Sequence, residues 1–414
     1  MIFEHEKVDD LIAHRRLSEA AEVLALTRAD RLLRGAVLAL AGDDRGFAGA
    51  IHPTMLADRS APGYLVAAGA LAWSADASGT FDALRAAYDC ALSERLFYLA
   101  VAARERLAHH ALLFGNVELA RTSIDEAIAL AAAYRFTSWL VHCRAVAAGL
   151  ALDAGDLDRA TELVERARAE LHDAPSLALF ASTGAQLAAE RGDDAELQQW
   201  TSPAMLDVAL RCEEPQAVIA ATIARLIGLG TPDGAAASAL RRALVLAGGA
   251  ANAPELFTTA TRCASLEDAR FSVHALAAVF APNRPYLKAH HLLARAHFAL
   301  RSGEGADWVD CAGDAARAFS AMGLRRWTNE AMLLLVAREP VAERKSLGRP
   351  SGSALTEREQ QVAHLIRRGA RNREVAEALQ ISEHTVERHV SSILGRLGLR
   401  SRWQIADAKN DGEH

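Results

Sequence analysis

Apolar residues recur at helical spacing along most of this chain, and turn signals interrupt the pattern at regular intervals. The signals are Gly42-Asp43, Gly79-Thr80, Gly115-Asn116, Gly155-Asp156, Gly192-Asp193, Gly230-Thr231, Ser265-Leu266 and Gly303-Glu304, spaced 35 to 40 residues apart. Two copies agree best, Leu112–Ala120 and Leu152–Ala160, and each has a further alanine seven residues on, Ala127 and Ala167. Seven residues are two helical turns. A narrow stripe of small side chains therefore faces the neighbouring helix, and each unit is expected to form a helical hairpin. A shorter unit at Arg16-Leu17-Ser18-Glu19-Ala20 is placed as a cap on the N-terminal end. The repeats stop near Arg338. Glu339-Pro340 and Gly348-Arg349-Pro350-Ser351-Gly352-Ser353 then read as a linker over 339–354.

Beyond the linker the periodicity returns in shorter pieces. Thr356-Glu357-Arg358-Glu359 is a capping box, followed by an apolar stripe at Val362, Leu365 and Ile366 and a stop at Gly369. A second short helix from Asn372 is expected to bury Val375, Ala376 and Leu379. Ser382 caps a third helix whose inner side carries Val386, Val390, Ile393 and Leu397, with Ile381 stapling to Val386. His384, Glu387, Arg388, Ser391 and Ser392 fall on its outer face. Gly398 ends it, and a fourth helix runs from Arg402 to Ala408.

Composition supports an all-α protein of more than one domain. The chain has 414 residues, 51% hydrophobic, with aromatics at only 6% and alanine and leucine dominant. No apolar run reaches the roughly 18 residues that span a bilayer, and the start has no basic region followed by an apolar stretch. A cytoplasmic protein without membrane contact is expected. Cys90, Cys143, Cys212, Cys263 and Cys311 are odd in number and show no CxxC spacing, so they read as buried free thiols. The net charge of -6 is uneven. From Leu355 to Lys409 ten Lys/Arg stand against seven Asp/Glu, a balance of +3, whereas residues 1–354 carry -7. A basic tail on an acidic body suits nucleic-acid binding.

Residues 1–338 resemble the tetratricopeptide repeat, a helix pair with small residues at its packing positions. The intervals are longer here, the usual aromatic positions are mostly unfilled, and the copies after Gly192 are degenerate. The resemblance implies eight or nine TPR-like hairpins stacked as a curved α-solenoid.

The C-terminal pattern of two short helices, a tight turn and a longer helix is that of a helix-turn-helix. Leu355-Thr356-Glu357-Arg358-Glu359, Gly369, Asn372-Arg373-Glu374-Val375-Ala376, Leu379, Ile381-Ser382, Thr385-Val386, His389, Ile393, Leu397-Gly398-Leu399 and Ser401-Arg402 resemble the bacterial LuxR-type DNA-binding domain, placed at 355–410. The resemblance implies a four-helix domain that binds double-stranded DNA through its third helix. It puts Glu387, Arg388 and Ser391 at base-facing positions. Arg388 has the fork to engage guanine O6 and N7, and Glu387, where many members have lysine, can accept from cytosine N4. Thr385, His389, Arg371, Arg373 and Ser382 are placed as phosphate-contacting or helix-orienting groups. Arg371 replaces the usual serine or threonine and Gly395 a longer residue. Trp403 and Ile405 on the fourth helix are the expected dimer contacts, which implies a homodimer reading an inverted-repeat operator.

Enzymatic chemistry is not expected. None of the four lysines follows a glycine, so no P-loop is present, although the chain resembles the C-terminal part of large ATP-binding LuxR-type regulators. It reads as a shorter standalone regulator, as Met1 suggests, or as a fragment. His109-His110, His290-His291 and His297 look metal-like, but adjacent histidines point to different helix faces. No metal or other cofactor is expected. The functional expectation is a sequence-specific transcription regulator whose repeat domain senses a protein or small-molecule effector. The competing expectation is an interaction scaffold whose helix-turn-helix is a docking module.

Overall fold

A computed structural model describes residues 2–13, 15–27, 31–41, 50, 52–171, 173–212, 215–229, 234–246, 253–278, 283–303, 307–337, 357–367, 372, 375–376 and 383–397. Among these the regular structure is all helical, with no strand. The chain packs as two units, Met1–Ala331 and Met332–His414. The turn signals Gly42-Asp43 and Gly230-Thr231 and the expected linker at 339–354 lie outside the described residues.

In the first unit the helices Ala61–Trp73, Ala77–Ser93, Phe97–Leu113, Val117–Ala133, Thr137–Ala154 and Leu157–Glu170 each pack on the next. Their junctions share one mechanism. Ala75, Arg95, Gly115, Arg135 and Gly155, spaced 20 residues apart, all take the left-handed conformation, with φ of 58, 59, 79, 59 and 80°. After each, the next amide reaches five residues back: Asp76 to Leu71, Leu96 to Ala91, Asn116 to Ala111, Phe136 to Ala131 and Asp156 to Ala151, at 2.8–3.0 Å. This satisfies carbonyls that the helix end leaves unpaired. Asp76, Asn116 and Asp156 then cap the following helices, accepting from the amides of Gly79, Leu119 and Arg159. The hairpin period here is 40 residues. Gly79-Thr80, read as a turn, instead belongs to the first turn of the Ala77–Ser93 helix, because Asp76 is the cap.

The alanine stripe is buried. Ala120, Ala127, Ala160 and Ala167 are at most 3% exposed, and the absence of larger side chains lets adjacent helices approach closely. The stack also turns back on itself. The Trp139 indole N–H donates to the Ile12 carbonyl at 2.8 Å, and Asn283 and Arg284 donate to the carbonyls of Ala75 and Ala72. Arg326 meets Asp153 at 2.7 Å. These ties join helices far apart in the chain within the unit. Cys143, Cys263 and Cys311 are buried free thiols and Cys90 is half-buried. His290, 0% exposed, and His297 serve packing and pairing: His290 Nδ1 meets Thr258 Oγ1 at 2.9 Å, and His297 Nε2 meets Glu330 at 3.1 Å.

Candidate nucleic-acid interface

In the second unit, Glu357–Arg367 and Glu383–Leu397 are helices that pack on each other, with Asn372 and Val375–Ala376 helical between them. Val362, Ala363, Ile366, Val375, Ala376, Val386 and Ile393 form the core, all at most 6% exposed, and Leu365, Val390 and Leu394 pack against it half-buried. The spacing Val362/Ile366 and Val386/Val390/Ile393 puts each set on one helical face, and that face is what locks the long helix in place. The stripe expected from the sequence is therefore present as far as the side chains are described. Those of Leu397 and His384, and residues Gly369 and Leu379, lie outside that description.

At 100° per residue, Arg388 stands about 200° from Val386, opposite the core. Glu387 and Arg388 are exposed, and Thr385, His389 and Ser391 are half-buried beside them. These five expected site residues are thus gathered on one helix, with the two central ones turned outward. Arg371, Arg373, Ser382, Trp403 and Ile405 lie outside the described residues.

Ser392 departs from its expected outer position. Its hydroxyl donates to Glu359 Oε1 at 2.5 Å, and Glu359 is only 4% exposed. A carboxylate buried beside an apolar core needs hydrogen-bond partners, and Ser392 supplies one across the helix pair. The sequence marks Glu359 only as a capping-box member. Its reach to the third helix carries no sequence signal, because the two residues are 33 apart.

An exposed guanidinium on a rigid helix can donate two parallel hydrogen bonds to a base edge or phosphate, and the adjacent carboxylate can accept from an amino group. Among the described residues no helix of the chain is long and apolar enough to cross a membrane.

Comparison with known proteins places this geometry. Residues 353–408 match the family described as bacterial regulatory proteins, luxR family. The nitrate/nitrite response regulator protein NarP of Escherichia coli (strain K12) is 46% identical over 50 residues, which are 12% of this chain and 23% of that protein. The transcriptional regulatory protein LnrK of Bacillus subtilis (strain 168) is 48% identical over 52 residues, 13% of this chain and 24% of the relative. The chain therefore spans about a quarter of the length of these curated relatives. No solved structure matches the chain. Residues 353–408 carry a luxR-family helix-turn-helix domain.

Proposed function

We propose that this protein is a sequence-specific DNA-binding transcription regulator. The observation that carries the reading is the outward placement of Glu387 and Arg388 on a helix whose other side is fixed by Val386 and Ile393. In this reading the Glu383–Leu397 helix enters the major groove. Arg388 reads guanine, Glu387 and Ser391 reach neighbouring base edges, and Thr385, His389, Arg371, Arg373 and Ser382 hold the backbone or orient the helix. Trp403 and Ile405 pair two copies over an inverted repeat. The repeat unit, TPR-like in its stacked hairpins, receives an effector and sets the affinity of the DNA-binding domain.

The test is an electrophoretic mobility shift of the full chain against genomic fragments. Selective, salt-sensitive binding is expected. Arg388→Ala should weaken it about five- to hundredfold and relax preference at one position of each half-site. Unselective binding, or an Arg388→Ala protein that binds like the wild type, overturns the reading; protein partners captured without any DNA enrichment would then identify a docking scaffold.

A further inference from the structure

The Met1–Ala331 unit contains a partly open cavity of about 240 Å³. Its wall is drawn from the inner faces of helices far apart in sequence, including Phe97–Leu113, Thr137–Ala154, Ala181–Arg191 and Pro215–Leu229. At about 30 Å³ per water it has the volume of about eight waters. Its chemistry contrasts with the alanine packing around it.

One end of the wall is charged. Arg15, Arg106 and Arg326 face Glu105 and Asp153. Arg326 and Asp153 pair at 2.7 Å. Burial pushes the Glu105 carboxyl up, but hydrogen bonding from His142 at 3.3 Å and the Arg106 and Arg15 guanidiniums bring it below the usual range, so it is ionised. Burial pushes the His109 imidazole down to about 3, so it is neutral. Among the described residues, three guanidiniums face two carboxylates at that end, and burial pushes the Asp153 carboxyl above its usual range. Burial pushes Glu255, which accepts from the Tyr286 hydroxyl, up to about 7, so it is only partly ionised at neutral pH.

Among the described residues, three buried polar atoms on this wall have no hydrogen-bond partner: Arg106 Nε, His109 Nε2 and Gln186 Oε1. Each unmet buried group costs about 1–3 kcal/mol, so three on one wall point to something that binds there. Val146, Leu150, Ile219 and Ile223 give the wall an apolar part, and Ser182, Thr183, Gln216 and Thr259 also line it.

We propose that this cavity binds a small organic monocarboxylate, its head on Arg106 with His109 beside it and its apolar body against Val146, Ile219 and Ile223. A planar guanidinium matches a carboxylate in shape, and the apolar side chains beside it suit an organic acid better than inorganic phosphate. The inference rests on the reading of the repeat unit as the effector-receiving part, and gives that effector a chemical class.

The experiment measures Tm and calorimetric binding of the full chain with benzoate, hexanoate and pyruvate, and with benzamide and inorganic phosphate as controls. Saturable stabilisation by at least one carboxylate is expected, absent with benzamide and phosphate. Arg106→Gln should bind about ten- to hundredfold more weakly. Val146→Phe, which fills the apolar end and alters no charge, should abolish binding and keeps the test decisive if Arg106→Gln fails to fold. No stabilisation by any of the three acids overturns the proposal and leaves a water-filled cavity. Equal binding of benzamide or phosphate, or unchanged binding in Val146→Phe, overturns it too. Mobility shifts run in parallel separate the two readings. Selective DNA binding without carboxylate binding sinks this inference alone, whereas carboxylate binding that leaves DNA affinity unchanged sinks the effector role and keeps the site.

Discussion

Gly184 lies against the indole of Trp200, and a Cβ there would collide with the ring. The ring has nowhere to retreat. Trp200 is 2% exposed, its N–H donates to Glu196 at 3.2 Å, and the Arg168 guanidinium stacks over it at 4.7 Å. Gly184→Ala should therefore destabilise the protein by about 1–3 kcal/mol through overpacking, despite alanine's better helix propensity. Urea unfolding should show a lower midpoint at unchanged slope, and an unmoved midpoint would refute the clash. A single glycine inside a helix gives no warning of such a contact in the sequence. The outward Glu387 and Arg388 were legible, because helical periodicity alone separates them from Val386 and Ile393. Ser392 was not: a polar residue on a helix reads as solvated until a partner such as Glu359 is seen beneath it.

At the scale of elements, glycine announces only part of the hairpin rhythm. Gly115 and Gly155 mark turns that any reader of the sequence finds, but Ala75, Arg95 and Arg135 adopt the same left-handed geometry without that signal. Their strain is offset by the reach-back hydrogen bonds, which the sequence does not encode locally. The Pro285–Ser302 helix carries a different hidden property. His290 is enclosed by the rings of Tyr286, Phe319 and Trp327, with centroids 4.5–5.0 Å away. Burial, with help from Arg326, pushes its pKa from 6.5 down to about 3. Between those values the unfolded chain binds a proton at this site and the folded chain does not. Its contribution to stability is therefore complete above pH 6.5 and is lost as pH falls toward 3. His290→Gln keeps a polar partner for Thr258 without that liability. Thermal melts from pH 7.5 to 4 should show the variant losing less Tm than the wild type, and parallel curves would contradict the assignment.

At the scale of the whole molecule, the charge split between an acidic body and a basic tail was readable by counting. The contacts between distant helices of the Met1–Ala331 unit were not, because apolar periodicity says which face a helix buries and leaves open which other helix covers it. The Arg326–Asp153 pair joins residues 173 apart in this way. Their side chains are 15% and 10% exposed, and the guanidinium also lies 3.9 Å over the Trp327 ring. Removing one partner strands a nearly buried charge, so Asp153→Ala should cost about 3–5 kcal/mol. Replacing both, as Asp153→Leu with Arg326→Met, should cost far less, because no unpaired charge remains. If the pair ties the two helices together, the single variant should also raise hydrogen exchange in two places at once, Thr137–Ala154 and Arg325–Ala337, whereas a purely local contact would loosen only the mutated helix. Equal costs for the single and double variants, with exchange confined to Thr137–Ala154, would show that apolar packing holds the two helices together and that the ion pair merely follows it.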